Sequence, residues 1–160
     1  MNALEMLRDQ HKDVQALFDE VASAPNRQQK LVHFEELADR LATHSAIEEH
    51  RFYPAAFAKS TEDILLALIE GQLSIRRILA ELLTTDVDSE TFTVMLKILR
   101  KQVEYHTTDE EDDLFPKVTS LLDAERLEEI GQQMLSEMTS LEGTAPRRLA
   151  ARETKYAGHL

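Results

Sequence analysis

Apolar residues along this chain recur at alternating steps of three and four positions, the spacing that places them on one face of an α-helix. Four segments, at residues 4–21, 34–52, 65–82 and 92–114, follow this pattern, and a fifth runs from about residue 123 to residue 143. Alternation of β-branched and polar residues is nowhere sustained, so no strand is expected. The pattern predicts an all-α fold, an up-down-up-down four-helix bundle with an additional C-terminal helix.

Helix-capping signals stand before the four bundle helices. A polar cap residue followed three positions later by an acidic or amide residue satisfies free N–H groups at a helix start. Three pairs have this spacing, Asn2 with Glu5, Asn26 with Gln29, and Ser60 with Asp63, and Asp88 or Ser89 offers a cap before Phe92. Few glycines and prolines interrupt the segments between these signals, which favours long helices.

In each of the four predicted bundle helices, the apolar residues form a stripe along one face, which we call the seam. Each seam is interrupted by polar residues where the helical period requires an apolar one. The interruptions are His11 in the first, His44 and Glu48 in the second, Gln72 in the third, and His106 and Glu110 in the fourth. Burying isolated polar or charged groups costs several kcal/mol unless they are paired or bind a metal. A single histidine of this kind is most often a hydrogen-bonded core residue, and one His/Glu pair can be a buried ion pair.

Repetition of the pattern argues for a metal. The segment HSAIEEHRFYP at 44–54 recurs as HTTDEEDDLFP at 106–116, and each contains a histidine and a glutamate four positions apart on one helical face. Two such pairs facing each other across a bundle can hold two metal ions bridged by carboxylates. Oxygen and imidazole donors without sulfur suit iron or manganese, with zinc as a further option.

His11, the pair His44/Glu48 and the pair His106/Glu110 resemble the hemerythrin-like, HHE cation-binding domain over about residues 3–140. The resemblance implies a four-helix bundle around a non-haem diiron centre with an oxo or hydroxo bridge. It further implies that Glu48 and Glu110 bridge the two irons, while His11, His44 and His106 are terminal ligands. The expected organisation is a bundle plus fifth helix over residues 1–142 and a basic tail over residues 143–160.

Two residues depart from this resemblance. Gln72 stands where the family usually has a histidine, and it could bind weakly through its carbonyl, hold a ligand water or leave the position open. Tyr53 has Phe115 as its counterpart in the second repeat. A Tyr53 phenolate could occupy the position that Gln72 leaves, or the tyrosine could pack for its ring alone.

The other histidines, and the glutamates next to Glu48 and Glu110, are not predicted to be metal ligands. His33, His50 and His159 are expected at the surface, because His33 lies three helical turns from His44 and the other two fall off the seams. Glu49 and Glu111 directly follow the candidate bridging residues and point away from them. They are expected to be solvated or to hydrogen-bond a ligand histidine.

Composition and charge narrow the function further. The 160-residue chain has no cysteine, which excludes disulfides and thiolate metal sites, and its net charge is −12. The last eighteen residues carry four cationic side chains against one carboxylate, so the remaining chain is more acidic still. Such a body repels nucleic acid and anionic membrane surfaces. The basic tail is expected to dock on this body or a neighbouring copy, unless it is a frayed terminus.

Two classes of function remain. The first is a diiron protein that binds, senses or detoxifies dioxygen, hydrogen peroxide or NO. The second is a metal-free, degenerate bundle that serves as an interaction module. Iron storage or handling is a further alternative. Whether the protein is an enzyme stays open, with catalase-like, peroxidase-like or NO-related activity compatible with the residues. No organic-substrate site and no protein partner can be read. Without a signal peptide or membrane segment, a cytoplasmic location is expected.

Overall fold

The computed structural model describes residues 1–150, which are helical and contain no strand. The helices are α1 (Ala3–Ser23), α2 (Arg27–Ile47), α3 (Tyr53–Ala56), α4 (Glu62–Leu82), α5 (Glu90–Asp109), α6 (Phe115–Leu121) and α7 (Ala124–Leu141). Two π-helical turns, Glu48–Phe52 and Glu110–Leu114, join α2 to α3 and α5 to α6 without a break. None of the helices within residues 1–150 has the length and apolar character needed to cross a membrane.

The four long helices form the predicted bundle. Helix α1 packs against α2, and α4 packs against α5. Contacts of α1 with α5 and of α2 with α4 close the ring, while α7 lies outside it against α1 and α2. The all-α fold class, with a four-helix bundle and an additional C-terminal helix, is therefore confirmed.

Most of the predicted caps are present. Asn2 and Glu5 form a reciprocal capping box, and the side chains of Asn26 and Asp123 each accept a hydrogen bond from the backbone N–H three residues later. Of the two candidates before α5, Ser89 is the cap, because its hydroxyl oxygen accepts from the Phe92 N–H at 3.1 Å.

The predicted capping pair of Ser60 and Asp63 is wrong. Helix α4 follows Thr61, which is buried and makes no capping hydrogen bond to the helix. Its hydroxyl instead donates to the carbonyl of Ala56 at 2.7 Å and accepts from the N–H of Ala58 at 2.9 Å. Thr61 thus closes the turn between α3 and α4, and this longer-range role was not visible in the capping pattern.

The core is divided into two apolar clusters with a polar layer between them. One cluster is built around Leu7, Phe52, Leu65 and Phe115, and the other around Phe18, Phe34, Leu79 and Phe92. Along α1, His11 lies between the two clusters, and along α4 Gln72 does the same. Glu48 and Glu110 are fully buried at this level. The seam interruptions therefore meet in one layer, as the sequence predicts.

The start of the predicted basic tail lies on the body of the same chain. Arg147 forms ion pairs with Asp39 at 2.8 Å and Glu35 at 3.3 Å, both on α2. The turn after α7 contains Gly143 with a φ of 76°, a conformation that glycine adopts without strain. Of the other cationic residues of the tail, Arg148 is exposed, and Arg152 and Lys155 lie outside the described residues.

Candidate metal centre

Four of the predicted ligands bring one donor atom each into a single buried group. Donor atoms of His11, His44, Glu48 and Glu110 all lie within 4.8 Å of one another. His44 Nε2 is 2.7 Å from Glu48 Oε1, and His11 Nε2 is 3.2 Å from Glu110 Oε1. We call these two imidazoles and the two Oε1 atoms the first donor group.

The other oxygen of each glutamate faces a second set of side chains. His106 Nε2 lies 3.5 Å from the Oε2 atoms of both Glu48 and Glu110. Tyr53 Oη lies 2.7 Å from Glu110 Oε2, 3.0 Å from Glu48 Oε2 and 3.2 Å from His106 Nε2. The second donor group consists of His106, Tyr53, Gln72 and the two Oε2 atoms. Each glutamate thus divides its oxygens between the two groups.

Gln72 reaches the second donor group from α4 and is almost fully buried. Its Nε2 donates to Glu48 Oε2 at 2.5 Å and to Tyr53 Oη at 3.3 Å. Its Oε1 has no hydrogen-bond partner. Because the amide can be turned by 180° at little cost in shape, either its nitrogen or its oxygen can face the carboxylates.

Several polar atoms of the layer are buried without a hydrogen bond, namely His11 Nε2, Glu48 Oε1, Glu110 Oε1 and Gln72 Oε1. Glu48 Oε1 makes none even though His44 Nε2 lies 2.7 Å away. Buried polar atoms are rarely left unpaired, since each one costs free energy. Imidazole nitrogens and carboxylate oxygens brought this close together without a well-aligned hydrogen bond are the arrangement expected around a cation. The residues present therefore fit a bound metal.

The charges in the layer depend strongly on one another. Burial by itself lowers the pKa of His11 and of His106, but contacts with Glu110 and Glu48 outweigh it and raise both pKa values to about 10. Burial acts in the opposite direction on Glu48, yet the nearby histidines, His44 first, hold its pKa well below the usual range. Without a cation, the layer is held together by protonated imidazoles between carboxylates.

The pKa of Tyr53 is raised like those of the two histidines, but here burial and the neighbouring carboxylates act in the same direction. Burial raises the pKa of its phenol, and the negative charges of Glu48 and Glu110 raise it further. In the metal-free layer the phenol is therefore neutral and donates a hydrogen bond to the carboxylates. Tyr53 does not pack for its ring alone.

The π-helical turn explains how Tyr53 enters the layer. In a regular α-helix, two residues five positions apart point about 140° away from each other. Here the N–H of Tyr53 bonds to the carbonyl of Glu48, an i to i−5 bond that returns Tyr53 to the face of Glu48. Pro54 follows directly, and its ring excludes the normal i−4 bond at this point. Local widening ahead of the proline thus aligns the two side chains.

The second repeat contains the same turn with a different side chain at its end. The N–H of Phe115 bonds to the carbonyl of Glu110, and Pro116 follows. The Phe115 ring stacks on the His11 ring with centroids 6.3 Å apart, on the side of the first donor group. The first group therefore has two histidines and a phenylalanine, where the second has one histidine, Gln72 and Tyr53.

Outer hydrogen bonds orient two of the candidate ligand histidines. Glu111 Oε1 lies 2.8 Å from His11 Nδ1, and Gln10 Oε1 lies 2.7 Å from His44 Nδ1. The predicted hydrogen bond to a ligand histidine is thus present for Glu111, whereas Glu49 pairs with Arg76. Gln10 was missed by the sequence analysis, because it lies beside the seam and not on it.

The remaining histidines are outside the layer. His50 is exposed and pairs with Glu137 at 2.6 Å, as expected of a surface residue. His33 is half-buried rather than at the surface, with Nδ1 3.4 Å from Glu20. Together with Glu36 these two form a small acidic group at the other end of α2, away from the centre. His159 lies outside the described residues.

Comparison with known proteins shows the family of the chain. Residues 2–118 match the hemerythrin HHE cation binding domain family, which covers most of the chain and all five predicted ligands. The chain belongs to the hemerythrin HHE cation-binding family. The buried His/Glu layer is a group of residues that could hold a metal ion, in keeping with the cation binding named in the family's description.

Individual relatives are similar over most of this chain. An uncharacterized protein of Mycobacterium tuberculosis is 31% identical over 147 residues, which are 90% of this chain and 89% of that protein. A DNA nickase of Nostoc is 24% identical over 154 residues, and the match covers 43% of its length. The crystal structure of a hemerythrin HHE cation binding domain-containing protein from Mycobacterium kansasii superposes with a TM-score of 0.80 at 23% identity, over 92% of this chain and 98% of that one. This last likeness confirms the fold.

Proposed function

We propose that this HHE domain is a non-haem diiron protein that binds and turns over a small oxygen or nitrogen species, with hydrogen peroxide as the first candidate and dioxygen and NO as others. The observation that carries the proposal is the division of the two glutamates. Each places Oε1 in the first donor group and Oε2 in the second. Carboxylates arranged in this way are suited to bridge two cations.

The donor set supports iron as the metal. The two groups offer imidazole, carboxylate and phenol donors and no sulfur, a combination that suits iron and manganese, with zinc as a further option. Bound iron would supply a redox-active Lewis acid with coordination positions open to small ligands. Carboxylates and raised histidine pKa values also mean that a cation replaces protons when it binds.

This chain's residues make the two halves of the centre unequal. In the first donor group, His11 and His44 supply two imidazoles. In the second, His106 stands beside Tyr53 and the amide of Gln72, which is a weaker donor than imidazole. We infer that Tyr53 supplies a phenolate to the second ion and that its proton is lost when the cation takes the place of the hydrogen bond.

A small cavity beside the layer limits what can reach it. The cavity has a volume of about 30 Å³, and besides His11, His44, Gln72 and His106 it is lined by the apolar side chains of Val14, Leu41, Ile75 and Val103. A water molecule needs about 10–15 Å³ of such volume, so two or three small molecules fit. A space of this size suits a small molecule such as peroxide, dioxygen or NO.

The metal-free alternative is disfavoured by the layer itself. An interaction module would have no use for two fully buried carboxylates or for the unpartnered atoms of His11 and Gln72. Substituting apolar residues for such groups is often neutral or stabilising in the absence of a metal.

Metal analysis of the purified protein, with its absorption spectrum before and after addition of peroxide, tests the proposal. We expect close to two irons per chain, a visible spectrum that changes with peroxide, and loss of the dinuclear centre in both Glu48→Ala and Glu110→Ala. Glu49→Ala is the matched control, because Glu49 lies in the same π-helical turn but pairs with Arg76. Full metal content and an unchanged spectrum in both bridging variants would rule out this assignment.

A further inference from the structure

Gln10 links the candidate centre to the fifth helix. It is a buried residue of α1, directly before His11. Its Oε1 lies 2.7 Å from Nδ1 of His44 on α2, and its Nε2 donates to Sδ of Met138 on α7 at 3.0 Å. A single amide thus connects a candidate metal ligand to a thioether on a helix outside the bundle.

The two neighbours of Gln10 fix which way its amide points. A thioether sulfur accepts hydrogen bonds and has no proton to donate, so the NH₂ group of the amide must face Met138. The amide oxygen then faces His44. Because an oxygen accepts, His44 must carry a proton on Nδ1. Its Nε2, 2.7 Å from Glu48 Oε1, is then the nitrogen available to a cation, which would displace any proton held there.

The reverse orientation would be incompatible with metal binding. If the amide nitrogen faced His44, it would donate to an unprotonated Nδ1, and the imidazole proton would move to Nε2, the atom in the donor group. Met138 therefore selects the tautomer of His44 through Gln10. The other histidine of this group, His11, is oriented differently, by the carboxylate of Glu111.

We propose that Gln10 is a positioning residue for the metal ligand His44, and that the thioether of Met138 sets the orientation of its amide. The inference rests on the proposed function, since it concerns the ability of His44 to bind a cation. Hydrogen-bond partners of metal-ligating histidines typically change metal affinity by about 10- to 100-fold. Helix α7, absent from the minimal four-helix bundle, thereby contributes to the centre without supplying a ligand.

Zinc affinity and histidine NMR test this role without any measurement of activity. Zn²⁺ is titrated against a competing chelator into Gln10→Leu, Gln10→Glu, Met138→Leu and the unmodified chain. We expect Gln10→Leu to weaken the tighter zinc site by about 10- to 100-fold. Gln10→Glu should keep the affinity or increase it, because a carboxylate also accepts from Nδ1–H. Met138→Leu should fall between them, since the freed amide can turn.

The matched control is Gln15→Leu. Gln15 is also on α1 and also accepts a hydrogen bond, from Arg100 at 3.1 Å, but it lies outside the layer. Its substitution should leave zinc affinity unchanged. In the ¹⁵N spectrum of the zinc-loaded chain, we expect His44 to be the Nδ1–H tautomer with a slowly exchanging proton, and that protection should be lost in Gln10→Leu.

Equal zinc affinity and equal His44 Nδ1–H exchange in Gln10→Leu and the unmodified chain would overturn the inference, as would failure of Gln10→Glu to restore affinity. A chain that bound neither zinc nor iron would instead overturn the proposed function. In that event the His44 Nδ1–H signal of the metal-free protein still decides the role of Gln10. It would support positioning if Gln10→Leu removed its protection and would refute it if the signal stayed the same.

Discussion

At the scale of single residues, the two donor groups are asymmetric because two unusual side chains lie on the same side of the layer. Gln72 offers the second donor group an amide where the family resemblance implies a histidine, and Tyr53, in the equivalent position to Phe115, adds an oxygen donor there. Phe115, by contrast, adds no donor to the first group. The phenol of Tyr53 therefore lies where the missing histidine leaves room, and the two residues are best understood together.

Tyr53→Phe is expected to remove any phenolate-to-iron absorption band and to weaken binding of the second iron. The carboxylates of Glu48 and Glu110 serve both donor groups, whereas the Tyr53 oxygen serves only the second, so its loss affects that group alone. The absorption spectrum and iron content of the purified variant provide the measurement. Tyr105→Phe is the control, since Tyr105 is exposed on α5. An unaltered spectrum in Tyr53→Phe would show that the phenol is not a ligand.

Gln72→His should tighten the second site, because imidazole is a better donor to iron than an amide. It should also slow azide binding and peroxide decomposition, because the imidazole would compete with these ligands for a coordination position that Tyr53 does not take. Azide titration and peroxide consumption measure these effects on matched, iron-loaded samples. If metal affinity, azide binding and peroxide turnover all stayed the same, Gln72 would be a buried amide satisfied by Glu48 and Tyr53.

At the scale of helices, two π-helical turns determine which side chains reach the centre. Each begins at a candidate bridging glutamate and ends one residue before an aromatic-proline pair. Widening of the helix at these points brings the residue five positions after the glutamate back to the same face. Turns of this kind are frequent at functional sites in helical proteins.

Pro54→Ala is expected to reduce the Tyr53 absorption band, because an added N–H allows the turn to tighten into a regular helix and rotates Tyr53 away from Glu48. The visible spectrum of the iron-loaded variant measures the effect. Pro116→Ala is a matched control in the second repeat, where the residue affected is Phe115, which has no donor atom. Equal loss of the band in both variants would mean that general loosening of the bundle, and not rotation of Tyr53, is responsible.

These helices also show what the sequence could and could not predict. Helical periodicity was sufficient to place His11, Glu48, Gln72 and Glu110 in one buried layer, because a polar residue on an apolar seam has no other direction to point. It could not place Tyr53 there, since regular helical spacing puts Tyr53 about 140° from Glu48. The proline indicates some disturbance of the helix but does not specify a π-helical turn.

Contacts that do not follow the helical period account for the other two residues, Gln10 and Thr61, whose roles the sequence did not predict. Gln10 lies off the seam, and its role depends on Met138, 128 positions later in the chain. Thr61 replaces Ser60 at the start of α4 because its hydroxyl is needed by the backbone of the preceding turn. Neither contact leaves a periodic signal, so both had to be read from the structure. The ligand assignment itself stays a prediction until metal is measured.

At the scale of the whole molecule, the polar layer separates two apolar clusters and couples folding to protons and metal. In the metal-free protein, His11 and His106 have pKa values of about 10, against an ordinary value of 6.5. A raised pKa stabilises the fold fully below the unfolded pKa, and this stabilisation is lost as the pH rises toward the folded one. Glu48, with a lowered pKa, adds stability that is lost on acidification.

The metal-free protein should therefore become less stable between about pH 6.5 and pH 10. Each histidine that is protonated only in the folded state lowers the free energy of unfolding by about 1.4 kcal/mol per pH unit. Two of them correspond to a fall in melting temperature of roughly 5–10 °C per pH unit for a chain of this size. Bound metal takes the place of these protons, so the loaded protein should lose little stability over the same range.

Chelation should consequently lower the melting temperature by many degrees at pH 7 and by more at pH 9. Thermal denaturation followed by circular dichroism, with and without prior removal of metal, measures the difference across the pH range. His50→Gln should not alter the pH slope, because His50 is exposed and pairs with Glu137 outside the layer. If the melting temperatures of loaded and metal-free protein fell in parallel as the pH rose, protons in the layer would not be displaced by metal. If chelation left the melting temperature unchanged, the metal-free interaction module would be favoured.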